Sequence, residues 1–309
     1  MCGETSTRVL KTVQNGCAMS EETGPEEPHP SSVGSVRSND GTPIGYYELG
    51  QGPGLILVHG AGQSSENLRT LARELSDAFT VYVPDRRGRG MSGPYGEFHG
   101  LRTEIEDMSA LVEASGAHYV FGLSAGAVAA IETALVRPEI TKLALYEPPL
   151  SFDGVVHAAW APRYERELKA GKLGSALVTV MKATADRTAF RYVPRFLLAA
   201  PLNLVIRKTA NRPVPPGTVS PRDLVPTVHY DAQTVMGAAG PLARFAGLHC
   251  GILLLGGSKS ARNLTASLDG LSTVLVGAKR VTLRGVGHTA ADNSRQPSLV
   301  AAELQAFFA

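Results

Sequence analysis

Apolar and polar positions divide the chain into segments with two different periods. After Gly54, uninterrupted apolar runs of strand length alternate with longer stretches in which apolar residues recur every three or four positions. The runs predict strands that are buried on both faces, and the longer stretches predict amphipathic helices. Strands of this kind separated by helices are typical of a parallel sheet that helices cover on both faces. The predicted strands are GLILVHG (54–60), FTVYVPD (79–85), HYVFGLS (118–124), ITKLALYEPP (140–149), CGILLLGG (250–257) and KRVTLRGVGH (279–288).

The same pattern predicts how the chain is divided. The alternation stops near residue 150 and resumes near residue 250, and the stretch between is largely helical and aromatic. We therefore expect an α/β core formed by residues 35–150 and 246–309, with a helical cap inserted at 151–245. The core should open with a hairpin, because VGSVRS and PIGYYELG flank an Asn39-Asp40-Gly41 turn. Residues 1–34 are rich in Glu, Ser, Pro and Gly, which predicts a disordered tail.

Composition limits the classes of protein to which this core can belong. A chain of 309 residues with 43% hydrophobic residues can bury one large α/β domain and an insertion. Its formal charge of +2 argues against a nucleic-acid binder, and no apolar run is long enough to predict a membrane span. The three cysteines show no disulfide or metal-ligand spacing, and the first residues lack the apolar stretch of a signal peptide. We expect a cytoplasmic protein with no metal.

A serine lies between two glycines at the corner where a predicted strand meets a predicted helix. The strand ends at Leu123 and the helix begins at Ala125, so the backbone must turn sharply at Ser124. Side chains two positions before and two positions after the serine would collide in such a turn, and Gly122 and Gly126 remove them. The sequence Gly-Leu-Ser-Ala-Gly is therefore a G-x-S-x-G nucleophile elbow.

Two further motifs accompany the elbow in a fixed order. His59-Gly60-Ala61-Gly62 ends an early strand, and Gly287-His288 follows the last strand. With these motifs on either side of the Ser124 elbow, residues 33–309 resemble the α/β-hydrolase superfamily. The resemblance implies an α/β-hydrolase fold, in which a mostly parallel sheet is flanked by helices and a helical cap is inserted after the sixth strand. It also implies catalysis without a cofactor.

The resemblance assigns roles to several residues. A free serine hydroxyl is hardly ionised at neutral pH, so Ser124 needs a base, and His288 stands where the family places its catalytic imidazole. The oxyanion of a tetrahedral intermediate needs donors that are already in place. In the family these are two backbone N–H groups, which here would belong to Ala61 and Ala125.

The acid of the triad departs from the commonest family pattern. Most members carry an Asp after the strand that here reads GILLLGG, but Ser258–Arg262 contains no carboxylate. Some members place the acid one strand earlier, where this chain has Glu147. Strand ends at one edge of a parallel sheet converge, so Glu147 could reach the imidazole and stabilise its protonated form. Asp231 and Asp292 are the alternative acids.

The cap is expected to select the substrate. Residues 151–245 contain 13 Lys and Arg against 6 Asp and Glu, although the whole chain carries only +2. Phe190, Tyr192 and Phe196 could line an apolar chamber with a basic rim, which favours a bulky apolar substrate with an anionic group or an acidic carrier protein as partner. The three arginines of the loop at 84–90 could suggest a phosphate site, but the loop is interpreted as a solvated structural turn.

These observations predict a serine hydrolase that cleaves an ester or a thioester through an acyl-enzyme. Acyl transfer, carbon–carbon bond hydrolysis, and lyase or cyclase steps of specialised metabolism use the same fold and triad, so they stay open. A non-catalytic small-molecule-binding protein on the same scaffold is also open. Family members that act as epoxide hydrolases or haloalkane dehalogenases place Asp at the elbow, and Ser124 argues against both activities.

Overall fold

A sheet of eight strands forms the centre of the computed structural model, which describes residues 32–184, 192–209 and 218–309. The spatial order is β1-β2-β4-β3-β5-β6-β7-β8. β1 and β2 are antiparallel, as are β2 and β4, and the remaining neighbours are parallel, so the predicted, mostly parallel sheet is confirmed. The strands are β1 Ser32–Arg37, β2 Pro43–Leu49, β3 Gly54–Val58, β4 Thr80–Pro84, β5 Tyr119–Leu123, β6 Lys142–Tyr146, β7 Gly251–Gly257 and β8 Lys279–Leu283.

The first two strands form the predicted hairpin. Ser38 N donates to Thr42 O at 2.9 Å, and Gly41 N donates to Ser38 O at 2.8 Å, which closes the turn. The strand β1 begins at Ser32 and pairs with β2 from Ser32↔Glu48 onward. Residues 32–34 therefore belong to the sheet rather than to the predicted tail, because their backbone is paired with β2. The rest of the predicted tail, residues 1–31, lies outside the described residues.

Helices cover both faces of the sheet, as the sequence pattern predicts. A 3₁₀ turn at Ser65–Leu68 directly precedes α1, which begins at Arg69. The helices α4 to α7 lie between β6 and β7 and make up the described part of the insertion. The α-helices of the described residues are α1 Arg69–Leu75, α2 Leu101–Ser115, α3 Ala125–Ala134, α4 Ala161–Lys169, α5 Leu173–Thr184, α6 Arg195–Thr209, α7 Pro221–Gly237, α8 Arg262–Val274 and α9 Pro297–Phe308.

The core consists of two apolar layers, one on each face of the sheet. Successive residues of a strand point to opposite faces. In β3, Ile56 and Val58 pack in the layer that contains residues of α2, α3 and α8, whereas Leu55 and Leu57 pack in the layer that contains residues of α1 and α9. Because both faces are buried, the strands show no polar alternation, which explains the continuous apolar runs of the sequence.

The topology brings several strand ends to one edge of the sheet. Since β3, β5, β6, β7 and β8 are parallel neighbours, the segments that follow them emerge side by side. The insertion leaves the sheet after β6 and returns at β7, its direct neighbour, and has a small core of its own around Tyr164 and Val225. No helix within the described ranges is long and apolar enough to cross a membrane.

Candidate active site

The backbone at Ser124 adopts the sharp turn that the sequence predicts. Its φ is +55°, and its N–H donates to Tyr146 O at 2.9 Å. A Cβ on Gly122 would lie 2.5 Å from Ala127 Cα, and one on Gly126 would lie 2.4 Å from His59 O. Both glycines are therefore required by close backbone contacts. A positive φ at a residue other than glycine is strained, and such strain is concentrated at functional sites.

Ser124, His288 and Glu147 form a continuous chain of hydrogen bonds. Ser124 Oγ lies 3.0 Å from His288 Nε2, and His288 Nδ1 lies 2.7 Å from Glu147 Oε2. All three side chains are buried, and Glu147 is completely so. The bond to Glu147 identifies Nδ1 as the protonated nitrogen, so Nε2 can accept the hydrogen bond of the Ser124 hydroxyl.

The end of β7 provides the space that Glu147 occupies. Glu147 has a φ of +46°, and its N–H donates to Leu255 O at 3.1 Å. Its Oε1 accepts the N–H of Gly257 at 2.7 Å, and a Cβ on Gly256 would lie 3.0 Å from the same oxygen. The two glycines that end β7 thus admit the carboxylate from β6, at the strand end where most family members carry their own acid.

The loop that carries His288 is fixed from two sides. Tyr146 Oη donates to Gly287 O at 2.7 Å, and Lys259 N donates to Val286 O at 2.9 Å. A Cβ on Gly257 would lie 2.4 Å from Val286 O, so glycine is again required where the loop crosses β7. These contacts hold the imidazole between the nucleophile and the carboxylate.

The segment from His59 to Gln63, here named the oxyanion loop after its expected role, passes close to Ser124. A Cβ on Gly60 would lie 3.3 Å from Ser124 Cβ, and the N–H of Gly60 donates to Gln63 Oε1 at 2.8 Å. Ala61 lines the cavity beside Ser124. Ala125 is the first residue of α3, so its N–H has no partner inside the helix. The two alanines predicted as oxyanion donors therefore flank Ser124.

His59 anchors the oxyanion loop in a neutral form. Its Nδ1 donates to Gly60 O at 2.9 Å, and its Nε2 accepts the N–H of Arg86 at 3.1 Å. Burial, followed by the positive charges of Arg89 and Arg86, holds the pKa of His59 well below its usual value. With both ring nitrogens engaged, His59 acts as a fixed support for the loop.

The two alternative acids contact other partners. The Asp231 carboxylate lies 2.7 Å from Arg86 Nη1 and 3.2 Å from Arg89 Nη2. The Asp292 carboxylate accepts Gln63 Nε2 at 2.9 Å. Asp231 also accepts the N–H of Gly62, so both carboxylates bind residues of the oxyanion loop. Glu147 is the carboxylate that contacts His288.

The arginine-rich loop at 84–90 is a structural turn, as the sequence interpretation expects, but it is buried rather than solvated, because its arginines pair with carboxylates inside the protein. Arg86 forms two parallel bonds to Glu104, at 2.9 and 2.8 Å, and Arg87 binds Asp107 in the same manner. Burial raises the pKa of Glu104, but the charge and the hydrogen bonds of its partners, Arg86 foremost, outweigh burial and hold it well below its usual value. Paired side chains of this kind fix the turn against α2.

The cavity beside Ser124 is small, with a volume of about 80 Å³. Two of its walls come from α5, through Val180 and Thr184. Sequence reasoning missed both residues: their spacing of four predicts one helix face, but no pattern shows what that face covers. It also missed Gln63, although this residue directly follows the HGAG motif. The full lining is Gly60, Ala61, Gln63, Leu123, Ser124, Val180, Thr184, His288 and Thr289.

The predicted substrate-binding aromatic residues are not part of this lining. Phe190 lies outside the described residues, and the side chains of Tyr192 and Phe196 are 88% and 70% exposed. Phe196 lines a second, open groove of about 840 Å³ between α4, α5 and α6. Four basic residues of the insertion line this groove and not the cavity beside Ser124: Arg163, Lys172, Arg195 and Arg207.

The described ranges contain no group of three His, Cys, Asp or Glu side chains that could hold a metal ion. The Ser124 hydroxyl, the His288 imidazole and the Glu147 carboxylate form one line of hydrogen bonds, and the backbone of Ala61 and Ala125 lies beside Ser124. Such an arrangement suits acyl transfer.

Comparisons with known proteins identify the family to which this fold belongs. Residues 55–303 match the model of the alpha/beta hydrolase family. An alpha/beta hydrolase from Sphaerobacter thermophilus is 30% identical, with a TM-score of 0.68 over 89% of this chain and 100% of that one. The chain therefore belongs to the alpha/beta hydrolase family, and its relatives class it as a hydrolase.

Other relatives are similar over a shorter span or in fold alone. The uncharacterized hydrolase YraK of Bacillus subtilis is 32% identical over 36% of this chain, and the match spans 42% of the relative's length. The naproxen esterase of Bacillus subtilis has a TM-score of 0.65 at 17% identity, over 91% of this chain and 93% of its own. The chain thus spans less than half of the curated relative, and the esterase shares its fold.

Proposed function

We propose that the protein is a cofactor-independent serine hydrolase that cleaves an ester or a thioester through an acyl-enzyme. The observation that carries the proposal is the line of bonds from Ser124 through His288 to Glu147, with spacings of 3.0 and 2.7 Å. Ser124 attacks the acyl carbonyl while His288 takes the serine proton at Nε2. Glu147 holds the imidazole by Nδ1 and stabilises its positive charge.

The remaining steps use the same groups. Oxygen of the carbonyl becomes an oxyanion, which the N–H groups of Ala61 and Ala125 stabilise. His288 then gives its proton to the leaving group, and the acyl group stays on Ser124. A water molecule attacks the acyl-enzyme with His288 again as base, which releases the acid and restores the serine.

A fluorophosphonate probe tests the nucleophile directly. The wild-type protein should become labelled on Ser124 and show the mass increase of one phosphonyl group, and the peptide that contains Ser124 should carry it. The matched control is Ser92→Ala, which should be labelled like the wild-type protein. Ser92 lies in the structural loop that follows β4, and its Oγ donates to Asp85 O. Absence of labelling in a folded protein would contradict the covalent mechanism and favour a binding protein.

We propose that the insertion acts as a cap and that α5 limits the acyl group. A cavity of about 80 Å³ holds a short acyl chain, so a bulky apolar substrate requires α5 to move away from Ser124. p-Nitrophenyl esters of increasing chain length measure this limit. Val180→Ala should raise kcat/KM for medium chains more than for acetate, because it shortens one wall of the cavity.

We further propose that the substrate, or a carrier protein that presents it, is anionic. The basic groove beside α6 supports this proposal. Arg163 and Arg195 are paired with Glu167, whereas Lys172 and Arg207 extend the positive rim. Attraction of this kind weakens as salt screens it. KM for an anionic ester should therefore rise with ionic strength and after Arg207→Glu, while KM for a neutral ester of equal length should stay constant.

A further inference from the structure

The insertion contacts the oxyanion loop through one buried carboxylate. Asp231 lies on α7 and is 1% exposed. Its Oδ2 accepts the backbone N–H of Gly62 at 2.9 Å, and Gly62 directly follows Ala61. One turn earlier on α7, Val228 Cγ2 would lie 2.9 Å from a Cβ on Gly62, whose φ is +62°. Helix α7 thus packs directly on the backbone beside the expected oxyanion donor.

Two arginines of the core hold this carboxylate in place. Arg86 Nη1 lies 2.7 Å from Asp231 Oδ1, and Arg89 Nη2 lies 3.2 Å from the same oxygen. Arg89 Nη1 also donates to Gln63 O at 3.2 Å. The two residues that follow Ala61 in the oxyanion loop are therefore both held: Gly62 by Asp231, and Gln63 by Arg89. Paired charges with this many hydrogen bonds leave the carboxylate little freedom.

The bond from Gly62 N–H to Asp231 also restricts the backbone conformation of the preceding residue, Ala61. The peptide between Ala61 and Gly62 is planar, so its orientation sets ψ of Ala61. Glycines on both sides of Ala61 would otherwise leave this segment free to adopt several conformations. An oxyanion hole works only when its donors are in place before charge develops. The expected donor, Ala61 N–H, lies on the peptide that directly precedes the one held by Asp231. A fixed ψ at Ala61 therefore limits how far this N–H can turn away from Ser124.

We infer that Asp231 is a positioning residue of the oxyanion hole, so that α7 of the insertion completes the hole that the core begins. The inference rests on the proposed function. It gives the insertion a role in the rate of the chemical step in addition to any role in substrate choice. Asp231 acts through the loop and does not itself touch the substrate.

The test compares Asp231→Asn with a matched control, Glu104→Gln. Glu104 binds the same guanidinium group of Arg86 and is as buried as Asp231. It lies on α2 of the core, whereas Asp231 lies on α7 of the insertion and accepts the N–H of Gly62. Each variant removes one negative charge from the same network. Thermal unfolding of both variants measures the stability that this charge provides.

The two variants should differ in their kinetics. With a short p-nitrophenyl ester, Asp231→Asn should lower kcat by about tenfold or more, somewhat less than the loss of a whole oxyanion donor, with KM nearly unchanged. Affinity for a trifluoromethyl ketone, whose adduct carries an oxyanion, should fall by the same factor. Glu104→Gln should keep both values near wild type at a temperature where each variant is folded.

A second variant covers the case in which Asp231→Asn does not fold. Asp231→Glu keeps the charge for both arginines but displaces the acceptor by one methylene, and it should lose kcat and ketone affinity as well. Equal kcat in Asp231→Asn, Asp231→Glu and Glu104→Gln would overturn the inference. A wild-type protein that neither hydrolyses esters nor reacts with a fluorophosphonate would overturn the proposed function, and the inference with it.

Discussion

Glu147 and His288 meet across the end of a strand that separates them. Glu147 follows β6, His288 follows β8, and β7 lies between, yet Glu147 Oε2 is 2.7 Å from His288 Nδ1. The contact is possible because β7 ends in Gly256 and Gly257, which offer space and an N–H group in place of side chains. The glycines thus compensate for the missing carboxylate after β7.

Glu147→Gln is expected to lower kcat by orders of magnitude without unfolding the protein. The amide preserves shape but lacks the charge that stabilises the imidazolium, and loss of this charge in a related triad costs about 10⁴-fold. Ester turnover and circular dichroism measure the two effects. Glu132→Gln is the matched control, since Glu132 is also buried but pairs with Arg244. Similar activity in the two variants would contradict the role of Glu147.

Ser124→Ala should abolish turnover and leave the fold intact, since the change deletes one hydroxyl. Loss of a triad nucleophile costs on the order of a million-fold in kcat. Stopped assays with concentrated enzyme would measure the residual activity of the variant. Mass spectrometry would show how much wild-type protein contaminates the preparation. More than a few per cent of wild-type activity in a clean preparation would rule out the acyl-enzyme.

His288→Ala is expected to be about as damaging as the loss of the serine. No rescue by His59 is expected, because both of its ring nitrogens are bonded and its pKa is held well below the usual value. Labelling by a fluorophosphonate should slow in parallel with turnover. Normal labelling of His288→Ala would show that another group activates Ser124.

Gly126→Ala should destabilise the protein, because the added Cβ would lie 2.4 Å from His59 O and 2.5 Å from Val58 O. Strain of this kind costs about 1–3 kcal/mol. Gly247→Ala is the control, since a Cβ there meets no atom within 4 Å. Urea unfolding of both variants compares them, and an equal free energy of unfolding would contradict the close packing at the elbow.

Stability should fall in mild acid, in part because of His157. Burial, with a smaller contribution from the charge of His288, lowers the pKa of His157 to about 4 from 6.5. Between these values the unfolded chain binds a proton that the folded chain does not, so stability is lost as pH falls from 6.5 towards 4. The shift corresponds to about 3 kcal/mol.

His157→Gln tests this assignment by unfolding in urea at pH 7 and near pH 4. The variant should lose less stability between the two pH values than the wild-type protein does. His59 contributes in the same direction, so the dependence should be reduced rather than abolished. The exposed His249 supplies the control, and equal slopes for His157→Gln and His249→Gln would contradict the buried state of His157.

Sequence patterns predicted the features of the molecule that depend on residues close together in the sequence. Buried strands, covering helices and the glycines around Ser124 follow from periodicity and sterics, and the order of strands placed Glu147 near His288. The hairpin was predicted, but the tail expected at residues 1–34 overlaps the first residues of β1, because pairing with β2 overrides the polar composition of that segment.

Long-range contacts were the part that the sequence could not provide. The bond between Asp231 and Gly62 N–H joins residues 169 positions apart, and neither residue carries a local signal for it. Likewise, the apolar composition of α6 does not reveal that Phe196 is 70% exposed beside a groove. Such placements depend on how the insertion packs on the core.

The insertion joins the sheet at two neighbouring parallel strands, β6 and β7, which pair from Lys142↔Gly251 to Tyr146↔Leu255. The sheet can therefore keep its register whatever the length of the intervening segment, and this position suits the exchange of one helical module for another. An exchanged module would have to bring its own acceptor for Gly62 N–H and a counter-charge for Arg86. A chimera that lacks an acid at the position of Asp231 should bind its new substrates and turn them over slowly.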